Sequence, residues 1–560
     1  MAIRLLWPEG AQASAAAGVI HKKDLDELDM NLLIRTMDVE DRYAGVIREL
    51  FSRLTTDPEV IRYRLDVLDD LMAHDELREC FRGMVKNLED LKQALVSHHL
   101  QKEDLLIVVW RLRALTLYAE CVEKLRSAFE KTEGRLRSKA LLQFEQAIDE
   151  QFSSPLFQSM RVELPKIQAG LEQISSVSVG INLDAQLYPV EATLLTINDF
   201  LYRGEHAFKR LFSKKTSNSE EDQGIGELIQ EPDAFPTALP QLKLSETANM
   251  RRVLFKEFGR LMKSVIEPAE KAIRQYAQIH ADLLVHLQDE FAFYSGAAHL
   301  VEILRSEGLP MSRPIIVDAD ARTFAARNLY NLNLALQNRN RTGSRSLAES
   351  IVLNDAAFDD ETGRAFVLTG PNSGGKTVYA QAIALIQVLA QAGLYVPCAQ
   401  ATLSPADKIY CYLNAEESAD MESGRLGQEA KRIQELFQTA TKHSLVILNE
   451  SFSSTSPGES MYLMKDVIYA IRMLGLRAVV TTHLHDLAAQ IDQINAAVDG
   501  DSKVASLVAG AAKDRDGMTR TYKIVPTAPQ GSSFAKDIAN KYGISIEQIA
   551  GVLRERGQIR

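Results

Sequence analysis

The sequence predicts a mostly α-helical N-terminal half followed by an α/β domain in which strands alternate with helices. Three observations support this prediction. Apolar residues recur at helical spacing from about residue 23 to residue 151. Short apolar runs alternate with helical patterns after residue 317, and a glycine-rich loop joins one of these runs to a helix. Such alternation is typical of a sheet that has helices packed on its faces.

The composition is that of an ordinary globular protein. The chain has 560 residues, of which 46% are hydrophobic and 25% are charged. We therefore expect three or four domains. The sequence has no run of eighteen apolar residues and no signal-peptide pattern, which predicts a cytoplasmic protein without membrane contact. The net charge of −11 argues against a uniformly basic nucleic-acid binder but leaves room for a local basic patch.

The cysteines indicate neither disulfides nor a metal site. Cys80, Cys121, Cys398 and Cys411 are widely separated, and no two of them form a C-x-x-C pair. They are therefore interpreted as small buried residues.

The first part of the chain is interpreted as a short arm and a helical body. Residues 1–23 begin with an irregular, Ala-rich stretch and form the predicted arm. Residues 24–165 form the predicted helical body, in which apolar side chains such as Leu65, Leu68 and Leu71 share one helix face.

A β-hairpin and a flexible linker are predicted within residues 166–245. Alternating apolar residues at 177–183 and a second apolar run at 190–197 flank a segment rich in turn-forming residues. The stretch 213–241 is polar, acidic and punctuated by Gly and Pro, which predicts a mobile linker.

Long helices are predicted for residues 246–316. The pattern is a four-three-four spacing of apolar residues at Leu254, Phe258, Leu261 and Val265. Pro268 is a candidate kink, and the helical pattern that resumes after it ends at Gly308.

A phosphate-binding loop is predicted between an apolar strand at 365–368 and a helix at 379–389 that ends at Gly393. The intervening segment matches G-x-x-x-x-G-K-[ST] and consists of Gly370, Pro371, Asn372, Ser373, Gly374, Gly375, Lys376 and Thr377. In such a loop the backbone N–H groups and the helix N-terminus hold phosphates. Lys376 then reaches the outer phosphates, and the Thr377 hydroxyl can ligate Mg²⁺. The motif therefore predicts a nucleoside triphosphate site that takes ATP and Mg²⁺.

The other elements of the domain at 317–545 are predicted to complete a sheet with helices on its faces. Helices are expected at 426–439 and 459–474. Strands are expected at 394–398, 409–413, 445–448 and 478–482, with a final hairpin formed by 504–508 and 521–525. Residues 546–560 are interpreted as a C-terminal tail.

Candidate catalytic residues follow two of these strands. Glu450 is predicted to orient or deprotonate the attacking water. Asn449 stands where such ATPases commonly have an aspartate. Its amide oxygen can accept from a magnesium-bound water, but the missing charge should weaken the metal site or slow turnover. For His483, which ends the next strand beside Thr481 and Thr482, contact with the γ-phosphate and a structural role both remain open.

These residues resemble the MutS family of DNA mismatch-repair ATPases. The stretch 369–377 is close to the family's T-G-P-N-M-G-G-K-[ST], and 481–483 is similar to its A-T-H. Asn354-Asp355 resembles its N-D segment, and Glu450 with Thr455-Ser456 resembles its D-E-x-x-x-G-T-S segment. Less specific similarity covers 57–71, which looks like the start of the helical core, and 291–314, which looks like the connector to the ATPase domain.

The resemblance implies an ABC-like P-loop ATPase domain that follows a helical core and lever domain. Residues 24–165 would be the MutS-like core, 166–245 a reduced clamp and 246–316 the levers and connector. It further implies a homodimer with nucleotides near the shared face, in which Thr455, Ser456 and residues 423–425 are candidates to reach the partner's γ-phosphate. ATP binding would then be coupled to DNA binding.

The sequence also departs from the family pattern. We expect no mismatch-reading domain before the core and no nuclease module after the ATPase domain. Residues 452–454 replace the Gly-Arg-Gly before Thr-Ser, and the signature stretch is only loosely kept at 423–427. Mismatch recognition is therefore less well supported than an ATP-driven dimer switch.

Three functional hypotheses follow. The first is a DNA-acting ATPase whose basic residues contact phosphates, or else form a solvated surface: Arg203, Lys209, Arg210, Lys214, Lys215, Arg339, Arg341 and Arg345. The second is a nucleotide-gated dimeric scaffold that recruits a protein partner and hydrolyses ATP weakly or not at all. The third, a transporter ATPase subunit, is disfavoured because the sequence has no Leu-Ser-Gly-Gly-Gln segment.

Overall fold

The computed structural model describes most of the chain. The described residues are 3–11, 20–100, 104–172, 176–183, 185–186, 189–198, 200–201, 271, 273, 275–276, 282–341, 346–413, 424–514, 517–528 and 543–558. The chain divides into two compact units. The first comprises Met1–Arg82, Arg135–Gln143 and Asp289–Arg560, and the second comprises Gly83–Gly134 and Phe144–Gln288. The predicted domain limits follow composition and motifs instead, and remain predictions.

The helical pattern predicted for the N-terminal half is confirmed. Its helices are α1 (Lys22–Glu27), α2 (Met30–Thr36), α3 (Asp41–Ser52), α4 (Pro58–Ala73), α5 (Asp75–Leu100), α6 (Asp104–Glu130), α7 (Lys139–Ser153) and α8 (Pro155–Glu172). Helix α4 shows why these segments are helical. Asp57 caps its N-terminus by accepting from the Glu59 backbone N–H at 2.8 Å, and Pro58 occupies the first turn, where no intrahelical donor is needed.

The predicted hairpin of the second unit is confirmed as the antiparallel pair β1 (Ser176–Leu183) and β2 (Pro189–Asn198). The predicted linker at 213–241, the apolar spacing at 254–265 and the candidate kink at Pro268 lie outside the described residues. The helices that follow them are α9 (Asp282–Val285) and α10 (Gln288–Ser306).

Two sheets form in the first unit, where the sequence predicted one. The described strands of the larger sheet have the order β12-β11-β6-β10-β9-β8 and are parallel except for the β11–β12 hairpin. These strands are β6 (Ala365–Thr369), β8 (Ile409–Tyr412), β9 (Leu445–Asn449), β10 (Arg477–Thr481), β11 (Val504–Asp514) and β12 (Gly517–Val525). All were predicted from apolar runs, although the hairpin strands are longer than expected.

The smaller sheet was not predicted. Its strand order is β3-β7-β4-β5, with β3 (Ile315–Ile316), β4 (Phe324–Leu329), β5 (Asn354–Phe358) and β7 (Gln400–Leu403). The strand expected at 394–398 is wrong. Val396 forms only a single bridge, with Ser312, and the Cys398 N–H donates to the Val396 carbonyl at 2.8 Å. This local turn after Gly393 shows that the apolar run reflects burial and not an extended ladder.

The remaining described helices of the first unit include the three that were predicted between strands of the larger sheet. They are α11 (Leu332–Arg339), α12 (Leu347–Ser350), α13 (Lys376–Ala392), α14 (Arg425–Thr439), α15 (Pro457–Leu474), α16 (His485–Ala489), α17 (Ile491–Ala497) and α18 (Ile546–Glu555). Helix α13 begins at the phosphate loop and ends at Gly393, which has φ +82°. Of its 17 residues, 14 are buried, so the loop is attached to an element that the surrounding core holds on all sides.

Described residues within the predicted arm and the predicted tail form defined structure. Within the predicted arm, Leu5 and Leu6 are buried and Ile20 forms a parallel bridge with Ile409 of β8. Within the predicted tail, α18 is capped by Ser545, whose hydroxyl accepts from the Gln548 N–H at 3.4 Å. Among the described residues, no helix combines the length and the apolar character that crossing a membrane requires.

Candidate functional site

The candidate site lies where three neighbouring parallel strands end. Thr481, the last residue of β10, pairs in register with Leu368 of β6 and with Asn449 of β9. Because the carboxyl ends of parallel strands meet at one edge of a sheet, the segments after these strands converge there. They carry the phosphate loop, Glu450 and His483, which the sequence placed 33 to 113 positions apart.

The phosphate loop needs glycine for two different reasons. Gly370 has φ +141°, and a Cβ at this position would lie 2.7 Å from the Cβ of Ala509. Gly375 precedes the first helical residue and has φ +91°, a conformation that L side chains rarely adopt. The loop therefore follows a tight path into the N-terminus of α13, and that helix end favours an anion in front of it.

Lys376 lies inside the loop that it would serve. Its side chain is only 4% exposed, and its Nζ donates to the carbonyls of Gly370 and Pro371 at 3.1 and 3.2 Å. Burial lowers the pKa of the Lys376 ammonium, while the nearby carboxylate of Glu450 raises it. The ammonium thus sits at the centre of the loop, close to a single opposing charge.

Asn449 joins the loop to the neighbouring strands. Its Oδ1 accepts hydrogen bonds from the hydroxyls of Thr377, at 2.8 Å, and Thr481, at 2.6 Å. Its Nδ2 donates to the carbonyl of Leu413 at 2.9 Å. Thr377 and Asn449, the predicted metal-side pair, are therefore in direct contact. Thr481 donates to the same oxygen atom of Asn449.

Glu450 and His483 form a direct side-chain pair at the ends of neighbouring strands. The Nε2 atom of His483 lies 2.6 Å from Oε1 of Glu450, and the two side chains are 40% and 37% exposed. Glu450 has φ +51°, which is uncommon for a residue with a side chain, and its N–H donates to the Thr481 carbonyl at 3.0 Å. The backbone bond stabilises this uncommon conformation directly after the strand.

A cavity of about 510 Å³ opens in front of the loop. Residues 373–379 and Glu450 line one side of it, and Leu334, Ile351 and Val352 contribute apolar wall. This volume and mixed lining are typical of a site for a small molecule or cofactor.

Tyr330 also lines the cavity, although the sequence did not single it out. Its side chain is 2% exposed, and its hydroxyl has no hydrogen-bond partner in the described part of the chain. Burial raises its pKa well above the usual range, so the hydroxyl keeps its proton and is a donor. Tyr330 therefore carries a fully buried donor in a side chain that lines the cavity.

Asn354, which the resemblance marked, holds the rim of the cavity. Its Nδ2 donates to the Tyr522 carbonyl at 3.1 Å, and its Oδ1 accepts from the Ile524 N–H at 2.8 Å. Tyr522, which was not predicted, lines the same cavity and has φ +57°. Only the folded structure identifies such lining residues, since they come from segments that are distant in sequence.

The structure does not bring Thr455 and Ser456 to this cavity. The Thr455 hydroxyl donates to the Glu459 carboxylate, and Ser456 caps α15, with its hydroxyl 3.0 Å from the same carboxylate. Arg425 opens α14 and pairs with Glu429 at 3.4 Å. Contacts of these residues with another subunit remain predictions.

Most of the predicted basic residues lie outside the described residues. Of the two that are described, Arg339 pairs with Glu307 at 3.6 Å and Arg341 is exposed.

The donor set fits Mg²⁺. The described residues contain no group of three His, Cys, Asp or Glu side chains that could hold a metal by themselves. Thr377 and Asn449 place two oxygen atoms 2.8 Å apart beside the loop, and oxygen is the ligand that Mg²⁺ prefers. Because Mg²⁺ usually keeps several waters and shares its binding with substrate phosphates, a small number of protein oxygens can complete such a site.

Comparisons with known proteins agree with this geometry. The sequence profile described as "MutS domain V" matches residues 366–555, and the one described as "MutS2 N-terminal domain" matches residues 56–307. The two matches do not overlap, and together they span most of the chain.

Curated relatives match over a shorter stretch. An Endonuclease MutS2 of Staphylococcus epidermidis (strain ATCC 12228 / FDA PCI 1200) is 31% identical over 202 residues, covering 36% of this chain and 24% of the relative. An Endonuclease MutS2 of Staphylococcus aureus is 31% identical over 202 residues, covering 36% and 27%. The chain thus aligns with about a quarter of the length of these relatives.

The phosphate loop, the residues at the strand ends and the two matching profiles all lead to the same assignment. The resemblance inferred from the motifs is confirmed, and residues 366–555 correspond to the P-loop ATPase domain of the matched family. This chain belongs to the MutS family.

Proposed function

We propose that this protein binds ATP with Mg²⁺ in the cavity in front of the phosphate loop and hydrolyses it. The observation that carries the proposal is the meeting of Lys376, Thr377 and Glu450 on one cavity of about 510 Å³, directly at a helix N-terminus. A positive loop, a hydroxyl suited to a metal and a carboxylate are the parts that phosphoryl transfer to water requires.

Each residue has a defined task. The N–H groups of the loop and the Lys376 ammonium bind the phosphates, and the apolar wall with the Tyr330 hydroxyl receives the nucleoside. Thr377 and Asn449 hold the metal side, where Mg²⁺, when bound, neutralises phosphate charge. Glu450 orients the attacking water and accepts its proton, and His483 holds the carboxylate in place.

Two copies of the chain pair through their ATPase domains, and Thr455 and Ser456 reach the partner's γ-phosphate. Closure of this homodimer is coupled to DNA binding through the helical parts. The family membership and the exposed N-terminal end of α15 support this arrangement. The side chains of Thr455 and Ser456 lie outside the nucleotide cavity of their own subunit. Coupling of this kind requires two discrete arrangements of the helices.

Mg²⁺-dependent ATP turnover tests the proposal. Wild type and Glu450→Ala should be compared without DNA, with plain duplex and with branched duplex, each at two salt concentrations. Turnover that needs Glu450 and rises with DNA supports a DNA-coupled ATPase, and the DNA effect should fall steeply with salt. Turnover at background with no bound ATP would contradict the assignment of the site.

A nucleotide-gated scaffold is the second candidate. The observation that favours it is the neutral Asn449 at the metal side, which leaves Glu450 as the one carboxylate among the residues that line the cavity. In that case ATP binds and closes the dimer, hydrolysis stays near background, and the closed dimer recruits a protein partner. Tight ATP binding without turnover, together with ATP-dependent dimerisation, would select this alternative.

A further inference from the structure

Helix α1, which belongs to the N-terminal segment, reaches the metal side of the candidate site. The Glu27 carboxylate is 9% exposed and accepts a hydrogen bond from the Leu413 N–H. Its Oε1 also accepts from Nη2 of Arg432, on α14, at 2.8 Å. The charge of Glu27 is therefore compensated in two ways inside the protein, as a buried carboxylate requires.

Leu413 connects Glu27 to Asn449. While the Leu413 N–H donates to Glu27, its carbonyl accepts from Nδ2 of Asn449 at 2.9 Å. A carbonyl oxygen can only accept, so this contact requires the amide NH₂ of Asn449 to face Leu413. The amide oxygen must then face the hydroxyls of Thr377 and Thr481, at 2.8 and 2.6 Å.

The chain of contacts explains why an asparagine can serve at this position. An aspartate has no proton to offer, so one of its oxygens would lie against the Leu413 carbonyl at hydrogen-bond distance and be repelled. Asparagine satisfies Leu413 and still offers one oxygen to the metal side. Its orientation, unlike that of a symmetric carboxylate, depends on the position of Leu413.

A second contact ties α1 to the nucleoside side of the cavity. Nε2 of Gln381, on α13, donates to the Glu27 carbonyl at 3.4 Å, and its Oε1 accepts from Nδ2 of Asn331 at 2.8 Å. Asn331 lines the cavity. The end of α1 is therefore linked through Gln381 to Asn331, a residue that lines the cavity.

We propose that Glu27 is a positioning residue that fixes Leu413 and thereby orients the Asn449 amide toward the metal side of the site. Glu27 does not touch the nucleotide or the metal. It makes the N-terminal helix a working part of the ATP site, through residues that are 386 positions apart in sequence. This inference rests on the proposed ATP and Mg²⁺ binding.

The test compares nucleotide affinity with and without Mg²⁺ in the full-length protein. The slowly hydrolysed analogue ATPγS is titrated calorimetrically into wild type and Glu27→Gln, in excess Mg²⁺ and in EDTA. We expect Glu27→Gln to lower the affinity about tenfold in Mg²⁺, the lower end of the range for a residue that orients a metal-side group. The affinity in EDTA should stay at the wild-type value, because the phosphate loop is untouched.

Asp26→Asn is the matched control. It removes one carboxylate from the same helix, but Asp26 is exposed. We expect wild-type affinity in both buffers. An unchanged Glu27→Gln, or an equal loss in Mg²⁺ and in EDTA with a lower Tm, would overturn the proposal, because the second pattern reports damage to the fold.

A double-mutant cycle with Asn449→Ala separates an effect through Asn449 from a general loss of stability in Glu27→Gln. If Glu27 acts through Asn449, then Glu27→Gln should reduce Mg²⁺-dependent affinity no further in the Asn449→Ala background. A full additional tenfold loss would overturn the proposal. Wild-type binding that Lys376→Ala abolishes, combined with no effect of Glu27→Gln, would refute this inference and leave the proposed function standing.

Discussion

His483 and Glu450 form a direct side-chain pair, with Nε2 of the histidine 2.6 Å from Oε1 of the glutamate. The two residues follow adjacent parallel strands, and the Glu450 N–H is bound to the Thr481 carbonyl at 3.0 Å. The histidine therefore fixes one carboxylate oxygen and leaves the other for a water molecule. This geometry assigns His483 to orienting Glu450, while contact with the γ-phosphate stays a prediction from the sequence.

Glu450→Gln should abolish turnover and retain ATP binding. The amide has the size of the carboxylate but cannot accept a proton, and loss of a general base typically costs about 10²- to 10⁴-fold in rate. Steady-state phosphate release and equilibrium binding of ATP should be measured on the same preparation. Turnover within threefold of wild type would remove Glu450 from the mechanism.

His483→Asn should lower turnover less than Glu450→Gln does. Removing a hydrogen bond to a charged group costs about 1.5–3 kcal/mol, which corresponds to about 13- to 160-fold in kcat. The affinity for ATP should change little, since the loop and the cavity wall remain. In the Glu450→Gln background, His483→Asn should have no further effect, and an additive loss would indicate a separate role for the histidine.

Tyr330→Phe should weaken ATP binding modestly. The variant removes only the buried hydroxyl that has no partner among the described residues, and one hydrogen bond contributes about 0.5–1.5 kcal/mol, or roughly 2- to 13-fold in Kd. The matched control is Tyr379→Phe, because the Tyr379 hydroxyl donates to the Asp355 carbonyl at 2.9 Å and is already satisfied. An affinity equal to wild type in Tyr330→Phe would show that the nucleoside does not use this hydroxyl.

Asn449→Asp separates the sequence interpretation from the structural one. The sequence led us to expect that restoring the charge would raise hydrolysis. The contact of Nδ2 with the Leu413 carbonyl leads to the opposite expectation, because aspartate places two acceptors against each other. We expect turnover to fall several-fold, and a rise in kcat at saturating Mg²⁺ would favour the simpler interpretation that the charge was missing.

The parts of the site that were predictable are those carried by local motifs. Residues 370–377 and Glu450 follow apolar strands, and a strand that ends in polar residues places them at a sheet edge. The strands of the smaller sheet were missed because β3 has two residues and β4 mixes Ala, Arg and Asn without alternation. Neither pattern differs from an irregular loop.

Contacts between distant segments could not be predicted from the sequence. Glu27 lies in a short helix with no motif, and nothing near it indicates that it binds the backbone of Leu413, 386 positions away. Tyr330, which follows β4, and Tyr522, which lies within β12, line the same cavity although they are 192 positions apart in sequence. Such placement is a property of the packed structure, and a single sequence does not carry it.

Asp24 should make the stability of the first unit depend on pH. Its side chain is 3% exposed, and burial raises its pKa from 3.8 to about 7, with a further rise from Glu27 and an opposing effect of Arg432. Because the folded state binds the proton more tightly, this contribution is fully present below about pH 4 and is lost as the pH rises through 7. A shift of about three units corresponds to at most roughly 4 kcal/mol.

Asp24→Asn isolates this contribution. Its amide oxygen can still accept from the Cys411 N–H, which lies 3.3 Å from Oδ1 of Asp24, but it does not ionise. Thermal unfolding at pH 5 and pH 8 should give a Tm advantage of the variant over wild type that is larger at pH 8 than at pH 5. Both proteins retain Glu290, whose pKa burial also raises to about 7 and which therefore changes stability with pH in the same direction. The difference in Tm between the two proteins is thus the quantity to compare. Parallel pH profiles of wild type and Asp24→Asn would show that Asp24 is ionised throughout, held by Arg432 at 3.9 Å.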